Sequence, residues 1–84
     1  MNTYQFTVEI KDGKFLEFKK EQTNLLPMDI IMEIDSKCVG RGIGVYEQFP
    51  DESDVTFEDR IKSVITAEYE GQKRNFKISN GVFG

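Results

Sequence analysis

Histidine is absent from this chain of 84 residues, and only one cysteine, Cys38, is present. Because histidine is the side chain most used for proton transfer near neutral pH, its absence excludes a Ser-His-Asp triad, a Cys-His pair and any histidine-containing zinc site within one chain. One thiol cannot form an internal disulfide, and a small secreted domain usually needs paired cysteines. We therefore expect Cys38 to be a packing residue and the protein to be cytoplasmic.

Long apolar runs are also missing. No segment is apolar over the length that a transmembrane helix requires, and residues 1–11 lack the basic start and apolar centre of a signal peptide. We expect no membrane association. The length corresponds to a single domain, residues 1–84, with one modest core.

The net charge is −4, and the acids are concentrated in one segment. Five acids and no base occur within nine residues: Asp51, Glu52, Asp54, Glu58 and Asp59. The spacing does not match a calcium-binding EF-hand loop, because Thr56 stands where the loop needs glycine. Paired carboxylates can hydrolyse sugars, but a chain this small has little room for the cleft they require. We expect no metal, no cofactor and no enzymatic activity.

Three glycines, Gly40, Gly42 and Gly44, alternate with other residues in a segment that otherwise resembles an apolar strand. Side chains alternate between the faces of a strand, so one face of this segment is bare. Three strand glycines cost about 2 kcal/mol unless another group approaches the bare backbone. Phosphate-binding loops place a helix after their glycines, whereas a strand follows here, so we expect no nucleotide site.

The first hairpin is predicted by alternation of apolar and polar residues over residues 4–10. A turn follows at Lys11-Asp12-Gly13. A two-residue loop would set Val8 opposite a charged residue, so we predict a three-residue loop that ends in a left-handed Gly13 and pairs Val8 with Leu16. In this register Phe15 points to the opposite face of the sheet, either exposed or covered by another element.

A second hairpin is predicted from residues 28–34 and the glycine strand. An even loop at Ser36-Lys37 pairs Ile34 with Val39 and matches the apolar residues of both strands. The bare face of the glycines then lies away from the main core, beside Ile31 and Tyr46. We expect either residues 57–65 or another protein to cover it.

The last third of the chain is ambiguous between helix and strand. Apolar residues fit helical spacing behind Thr56, with Asp59 three residues later as in a capping box, but Ile65, Ala67 and Tyr69 alternate as in a strand. We predict a short helix over residues 56–63, then a strand over 64–70 that turns at Glu70-Gly71 and pairs with residues 76–78. A further turn is predicted at Asn80-Gly81.

Together these segments predict a β-rich α+β fold, or an all-β one, with a small antiparallel or curled, barrel-like sheet of three β-hairpins. We expect the core to contain Phe6, Val8, Ile10, Leu16, Phe18, Ile30, Met32, Ile34, Ile43, Val45, Ile65, Phe76 and Ile78.

Because catalytic side chains are few, we expect a protein that binds and occludes another protein, as a small inhibitor does. The acidic segment suits a surface that imitates phosphates, and small size with acidity also fits an antagonist encoded by a phage. A homo-oligomer is compatible with the same features. Candidate contact residues are Phe15, Ile31, Gly40, Gly42, Gly44, Tyr46, Asp51, Glu52, Asp54, Glu58 and Asp59.

The alternative function is binding of single-stranded nucleic acid. Small curled sheets with basic and aromatic surface residues bind single strands by stacking and phosphate contact. Three clusters have this composition: Lys14, Phe15, Lys19 and Lys20; Arg41 and Tyr46; Lys73, Arg74 and Lys77. The overall acidity of the chain argues against this function.

Overall fold

Residues 2–79 are described by a computed structural model, in which one open antiparallel sheet of four strands is covered on one face by one helix. The elements are β1 (Asn2–Lys11), β2 (Lys14–Gln22), β3 (Met28–Ile34), β4 (Gly40–Gln48) and α1 (Asp54–Ser79). The strand order is β2-β1-β4-β3, so β2 and β3 form the two edges. The expected β-rich α+β class is confirmed.

The connection between the hairpins crosses one end of the sheet, because β2 and β3 lie at opposite edges. Five residues, 23–27, make this crossing. The backbone N–H of Thr23 donates to the carbonyl of Thr3 at 3.0 Å, which holds the start of the connection against β1. Pro27 then ends the crossing immediately before β3.

The β1–β2 turn is a two-residue loop, and the expected three-residue loop was wrong. Asp12 and Gly13 have φ angles of 50° and 77°, as a type I′ turn requires, and their positive sign confirms the left-handed Gly13. A β-bulge two residues later places Phe18 opposite Val8. The extra residue in the bulge, Leu16, is 58% exposed instead of buried. A bulge thus removes the mismatch that argued against the short loop.

The β3–β4 turn is a three-residue loop, residues 36–38. The N–H of Asp35 donates to the carbonyl of Val39 at 3.0 Å, and the N–H of Cys38 donates to the carbonyl of Asp35 at 2.9 Å. Cys38 has a φ angle of 61°, in the left-handed region that a non-glycine residue seldom adopts. The Asp35 carboxylate stabilises this turn by accepting hydrogen bonds from the backbone N–H groups of Lys37 and Val39.

Because this loop has an odd number of residues, the register of the second hairpin differs by one residue from the expected register. Ile34 pairs with Gly40, not with Val39, and Ile31 pairs with Ile43. Because a slip of one residue moves a strand's side chains to the other face, the glycines share a face with Ile34 and not with Ile31. The expected position of Ile31 beside the glycines was wrong.

The C-terminal segment is one continuous helix, so the predicted strand over 64–70 and the third hairpin were wrong. Ser53 caps the helix: its hydroxyl oxygen accepts the N–H of Thr56 at 3.1 Å, and its carbonyl accepts the N–H of Phe57 at 2.9 Å. The predicted turn at Asn80-Gly81 lies outside the described residues. Four completely buried side chains follow each other at intervals of four: Phe57, Ile61, Ile65 and Tyr69.

The glycine face of β4 lies beneath this helix. A Cβ atom on Gly40 would lie 2.9 Å from Cδ1 of Tyr69 and 2.9 Å from Sδ of Met32, and one on Gly42 would lie 2.9 Å from the carbonyl oxygen of Ile31. Any larger residue would therefore force the helix or β3 away from β4. Glycine here allows close packing of the chain against itself, and the helix residue that contacts this face is Tyr69, which lies outside the expected segment 57–65.

The core lies between the sheet and α1. Its buried members are Phe6, Val8, Ile10, Ile30, Met32, Phe57, Ile61, Ile65 and Tyr69, with Tyr4, Phe15, Phe18, Ile34 and Tyr46 packed at its margin. Three expected core residues are exposed: Leu16, Ile43 and Ile78. Phe76 is only half-buried. The sequence prediction did not include Phe57, Ile61, Tyr69 or Val39, all of which are buried.

Tyr69 connects the helix to both hairpin turns. Its hydroxyl accepts the backbone N–H of Asp12 at 3.0 Å and donates to the carbonyl of Cys38 at 2.7 Å. Residues 70–79 continue the helix beyond these turns. Among residues 2–79, no helix is long and apolar enough to cross a membrane.

Candidate functional site

The face of the sheet opposite the helix, here called the open face, has no helix or further strand packed on it within residues 2–79, although Thr3 and Val45 on this face are buried. Its side chains form three rows that run across β2, β1, β4 and β3. The rows are Glu21, Gln5, Val45 and Met28; Lys19, Thr7, Ile43 and Ile31; and Glu17, Glu9, Arg41 and Glu33.

An apolar patch, Met28, Ile31 and Ile43, occupies the β3 side of the open face. These side chains are 41%, 65% and 44% exposed, and they surround Val45, which is buried. Single exposed apolar residues are normal on a protein surface, but adjacent ones on an uncovered sheet face indicate a contact surface. The β1 and β2 side of the same face is polar.

Charge is unevenly distributed along the third row. Arg41 forms ion pairs with Asp35 at 2.9 Å and with Glu9 at 3.6 Å. Within residues 2–79, no ion pair involves Glu17 or Glu33. The open face therefore carries unneutralised carboxylates at both ends of this row.

The Asp35 carboxylate, beside this row, is held in its ionised form. Hydrogen bonds from the Val39 backbone N–H and the Arg41 guanidinium keep the pKa of Asp35 below its usual value. The Asp35 hydrogen bond and the nearby Glu9 charge raise the pKa of Arg41. Arg41 thus pairs with two acids of its own chain, Asp35 and Glu9.

A shallow depression of about 590 Å³ follows the apolar patch across β4 to β1. It is wide open on one side, and no group of three histidine, cysteine or carboxylate side chains among the described residues converges on a metal-sized centre. Its lining residues are Thr7, Val8, Glu9, Glu17, Met28, Ile31, Glu33, Arg41, Gly42 and Ile43. This shape suits a contacting chain better than an enclosed small molecule.

The outer edge of β3 adjoins the apolar patch. The N–H of Asp35 bonds to Val39, so this pair is of the hydrogen-bonded type. Pair types alternate in antiparallel ladders, and the main-chain groups of Met32 and Ile34 therefore point away from β4. β3 has no strand on its far side in the described part of the chain.

A second, smaller depression of about 330 Å³ lies near the start of β3, between Pro27 and Phe49. The Arg60 guanidinium stacks 4.5 Å from the centre of the Phe49 ring. The Tyr46 hydroxyl accepts the N–H of Ile30 at 2.9 Å, and burial raises the pKa of Tyr46. The Tyr46 hydrogen bond thus stabilises the bulged start of β3.

The apolar candidates predicted from the sequence lie on different surfaces. Ile31 belongs to the open face. Phe15 packs edge-on against Phe18 on the core face, so it is covered rather than exposed. Tyr46 does lie beside the glycines, as expected, but on the helix side of the sheet, and the three glycines are buried there.

The five acids do not form one free surface. Glu52 accepts two hydrogen bonds from Arg60, at 2.7 and 2.9 Å, and this interaction lowers the pKa of Glu52. Glu58 forms an ion pair with Lys20 at 3.0 Å. Asp54 accepts a hydrogen bond from Gln48 at the start of α1. Asp51 and Asp59 are exposed.

The structure separates the residues of two expected nucleic-acid clusters. Arg41 is on the open face, whereas Tyr46 is on the helix side. Lys20 covers the Tyr4 ring, 4.9 Å from its centre, and Phe15 is in the margin of the core. Lys73, Arg74 and Lys77 lie together on the last turns of α1.

Sequence reasoning missed Met28, Ile43 and Glu33 as site residues. Ile43 was assigned to the core because apolar strand residues usually face it, and Met28 was only paired with Val45 on that same face. The signal that could have separated them is the doublet Ile30-Ile31, since adjacent residues of a strand face opposite sides and one must lie outside the core.

No protein-family description matches this chain, and neither the curated proteins nor the solved structures contain a significant match to it.

Proposed function

We propose that this protein is a non-enzymatic protein-binding module that contacts its partner with the open face of the sheet. The observation that supports this proposal is the apolar patch, whose three side chains are exposed together beside a strand edge. Binding would cover the patch and occlude the bound surface of the partner, which is how a small inhibitor acts.

The open face is a better candidate than the acidic segment. Two of the five acids, Glu52 and Glu58, are already paired with bases of the same chain, which reduces the charge available to imitate phosphates. Within residues 2–79, the apolar patch has no such internal partner. No specific contact favours nucleic-acid binding.

The test compares affinity capture from the native host's lysate by the wild type and two matched variants. Ile31→Lys places a charge in the apolar patch, and Val55→Lys makes the same change at a residue that is 70% exposed in the first turn of α1. Both substitutions are on the surface and should change the free energy of unfolding by about 0.5 kcal/mol or less.

We expect Ile31→Lys to lose a protein that the wild type and Val55→Lys both retain. Equal capture by all three proteins would contradict a contact at the open face. Loss of capture by Val55→Lys alone would transfer the site to the start of α1.

A further inference from the structure

We infer that the occupant of this site is an extended segment of another protein that joins the edge of β3 as a fifth strand, with a basic side chain opposite Glu33 and an apolar one opposite Ile31. This inference rests on the proposed function and specifies the chemistry of its partner. Three properties of the edge support it: the free main-chain groups, the side chains beside them and the poor fit of a second copy.

The first property is the direction of the main chain. The N–H and C=O groups of Met32 and Ile34 point away from β4, so a partner strand can exchange two pairs of hydrogen bonds with them. The β3 bulge between Met28 and Ile31 limits regular pairing to the end of β3 near its turn. The partner motif is therefore short.

The second property is the set of side chains beside the free groups. Ile31 and Glu33 flank Met32 and project onto the open face, so the partner residues opposite them project there too. Glu33 has no ion pair within residues 2–79, because Arg41 across from it bonds to Glu9 and Asp35. A lysine or arginine of the partner would neutralise Glu33, and a valine or isoleucine would extend the apolar patch.

The position between these two partner residues faces the helix. The backbone of α1 approaches β3 and β4 more closely than it approaches β1 and β2. The Met32 side chain is almost completely buried, whereas that of Ile34 is more exposed. The helix-facing side chains of an added strand would therefore lie partly under the edge of α1. Only a small side chain fits there. For an antiparallel partner the motif is a basic residue, a small residue and a β-branched residue.

The third property is the charge pattern, which disfavours a second copy of this chain. A twofold antiparallel pairing of β3 with itself centred on Glu33 would place the two Glu33 side chains opposite each other, and like charges in that position destabilise a sheet. A pairing centred on Met32 would place Glu33 opposite Ile31 and would not neutralise it. The other edge, β2, carries the charged side chains Lys19 and Lys20, which are a common protection of an edge strand. Only β3 is suited to a strand of opposite charge.

The experiment titrates the full-length protein with a capped peptide, Thr-Lys-Ser-Val-Ser-Lys-Thr, and records amide shifts by NMR. Its first lysine stands opposite Glu33 and its valine opposite Ile31. The control peptide replaces both lysines by glutamate. We expect the lysine peptide alone to bind, and we expect Glu33→Lys to reverse this preference while Asp59→Lys, an equivalent change on exposed α1, leaves it intact.

Backbone pairing is tested with two N-methylated forms of the lysine peptide. One carries methyl groups on the first threonine and the first serine, whose N–H groups would bond to Ile34 and Met32. The other form carries two methyl groups as well, on the first lysine and the valine, whose N–H groups would point away from β3. Loss of two hydrogen bonds should weaken the first form by about tenfold or more and leave the second unchanged. Binding should also slow hydrogen exchange at the Met32 and Ile34 amides.

Four results would overturn the strand inference. They are no binding of the lysine peptide at millimolar concentration, equal binding to Glu33→Lys, equal effects of the two methylation patterns, and a stable dimer of the free protein that Ile31→Lys dissociates. If any of these occurs while capture from lysate still depends on Ile31, the open face binds a protein in another way. If that capture does not depend on Ile31, the proposed function itself fails.

Discussion

Replacing Gly42 by alanine tests how closely β3 packs against β4 at this position. A Cβ atom at this position would lie 2.9 Å from the carbonyl oxygen of Ile31 and 3.0 Å from Cδ1 of Ile30. The oxygen belongs to the backbone of β3, so it cannot move unless β3 shifts relative to β4. Alanine therefore imposes strain on the ladder itself.

Two opposing contributions set the size of the effect. Alanine gains about 0.5 to 1 kcal/mol over glycine because it restricts the unfolded chain, whereas overpacking a close contact costs about 1 to 3 kcal/mol. Because the contacted oxygen belongs to the β3 backbone, we place the overpacking cost in the upper half of this range, at about 2 to 3 kcal/mol, and expect a net loss of about 1 to 2 kcal/mol in the free energy of unfolding. For a domain of this size, that corresponds to a decrease in melting temperature of about 5 to 15 °C.

Gly71→Ala is the matched control, because nothing lies within 4 Å of a Cβ atom built on this helical glycine. Without a steric cost, alanine should stabilise the helix by about 0.5 to 1 kcal/mol. Urea unfolding followed by circular dichroism measures both variants, and the two changes should have opposite signs.

A Gly42→Ala protein as stable as the wild type would refute the reasoning. That result is expected if the glycine face is open, as it is in the register slipped by one residue that the sequence suggested. An increase in stability similar to that of Gly71→Ala would refute it more strongly.

Three further predictions concern single side chains. Tyr69→Phe removes two hydrogen bonds and should destabilise the fold by about 1 to 3 kcal/mol in urea unfolding. The control Tyr4→Phe should cost less than about 0.5 kcal/mol. Equal losses in the two variants would contradict the role of the Tyr69 hydroxyl. The hydrogen bond from Arg60 lowers the pKa of Glu52 below its ordinary value of 4.5, so the ionised carboxylate stabilises the fold above that pH and loses this effect as the pH falls through the lowered pKa. The difference in melting temperature between the wild type and Glu52→Gln should therefore shrink as the pH falls from 6 to 3, and a constant difference would exclude the ion pair as its cause. Because Cys38 has a positive φ, the wild type already bears the left-handed cost of about 1 to 2 kcal/mol, which Cys38→Gly should relieve and the β-branched Cys38→Val should increase; equal thermal stability of the two variants would show that the turn is not strained.

The hairpins could be predicted from alternation, but their registers could not. In the first turn, Asp12-Gly13 is a strong signal for a two-residue loop, and the bulge at Leu16 that makes this loop compatible with the apolar pattern has no signal of its own. In the second turn, a left-handed conformation at Cys38 is unexpected for that residue type, and the odd loop length that it permits was missed.

The helix could be predicted only in part, because its pattern fits two structures. Ile65, Ala67 and Tyr69 alternate as in a strand, while Phe57, Ile61, Ile65 and Tyr69 repeat every four residues as in a helix. At Gly40 on β4, the absence of a side chain leaves room for the ring of Tyr69, the last residue of the helical repeat. Gly40 belongs to a distant part of the chain, so a local pattern does not contain this information.

The candidate site, like the helix, could be predicted only in part from the sequence. Ile31 was identified from the sequence as a contact residue, and it is exposed, but its neighbours on the surface are Met28 and Ile43 and not the glycines. A one-residue difference in loop length exchanged the two faces of β3 relative to β4.

Sequence alone determined the class of this protein: a small acidic chain without histidine, with alternating strands, a turn at Gly13 and a glycine strand that something must cover. Local residue types are sufficient for these features, because alternation and turn chemistry act over a few residues. Only the tertiary structure decided which face is core, since that depends on a bulge, on a left-handed Cys38 and on the packing of α1 against β4. Those three features bury the glycines between the sheet and α1 and leave Ile31 on β3, an edge strand of the described sheet.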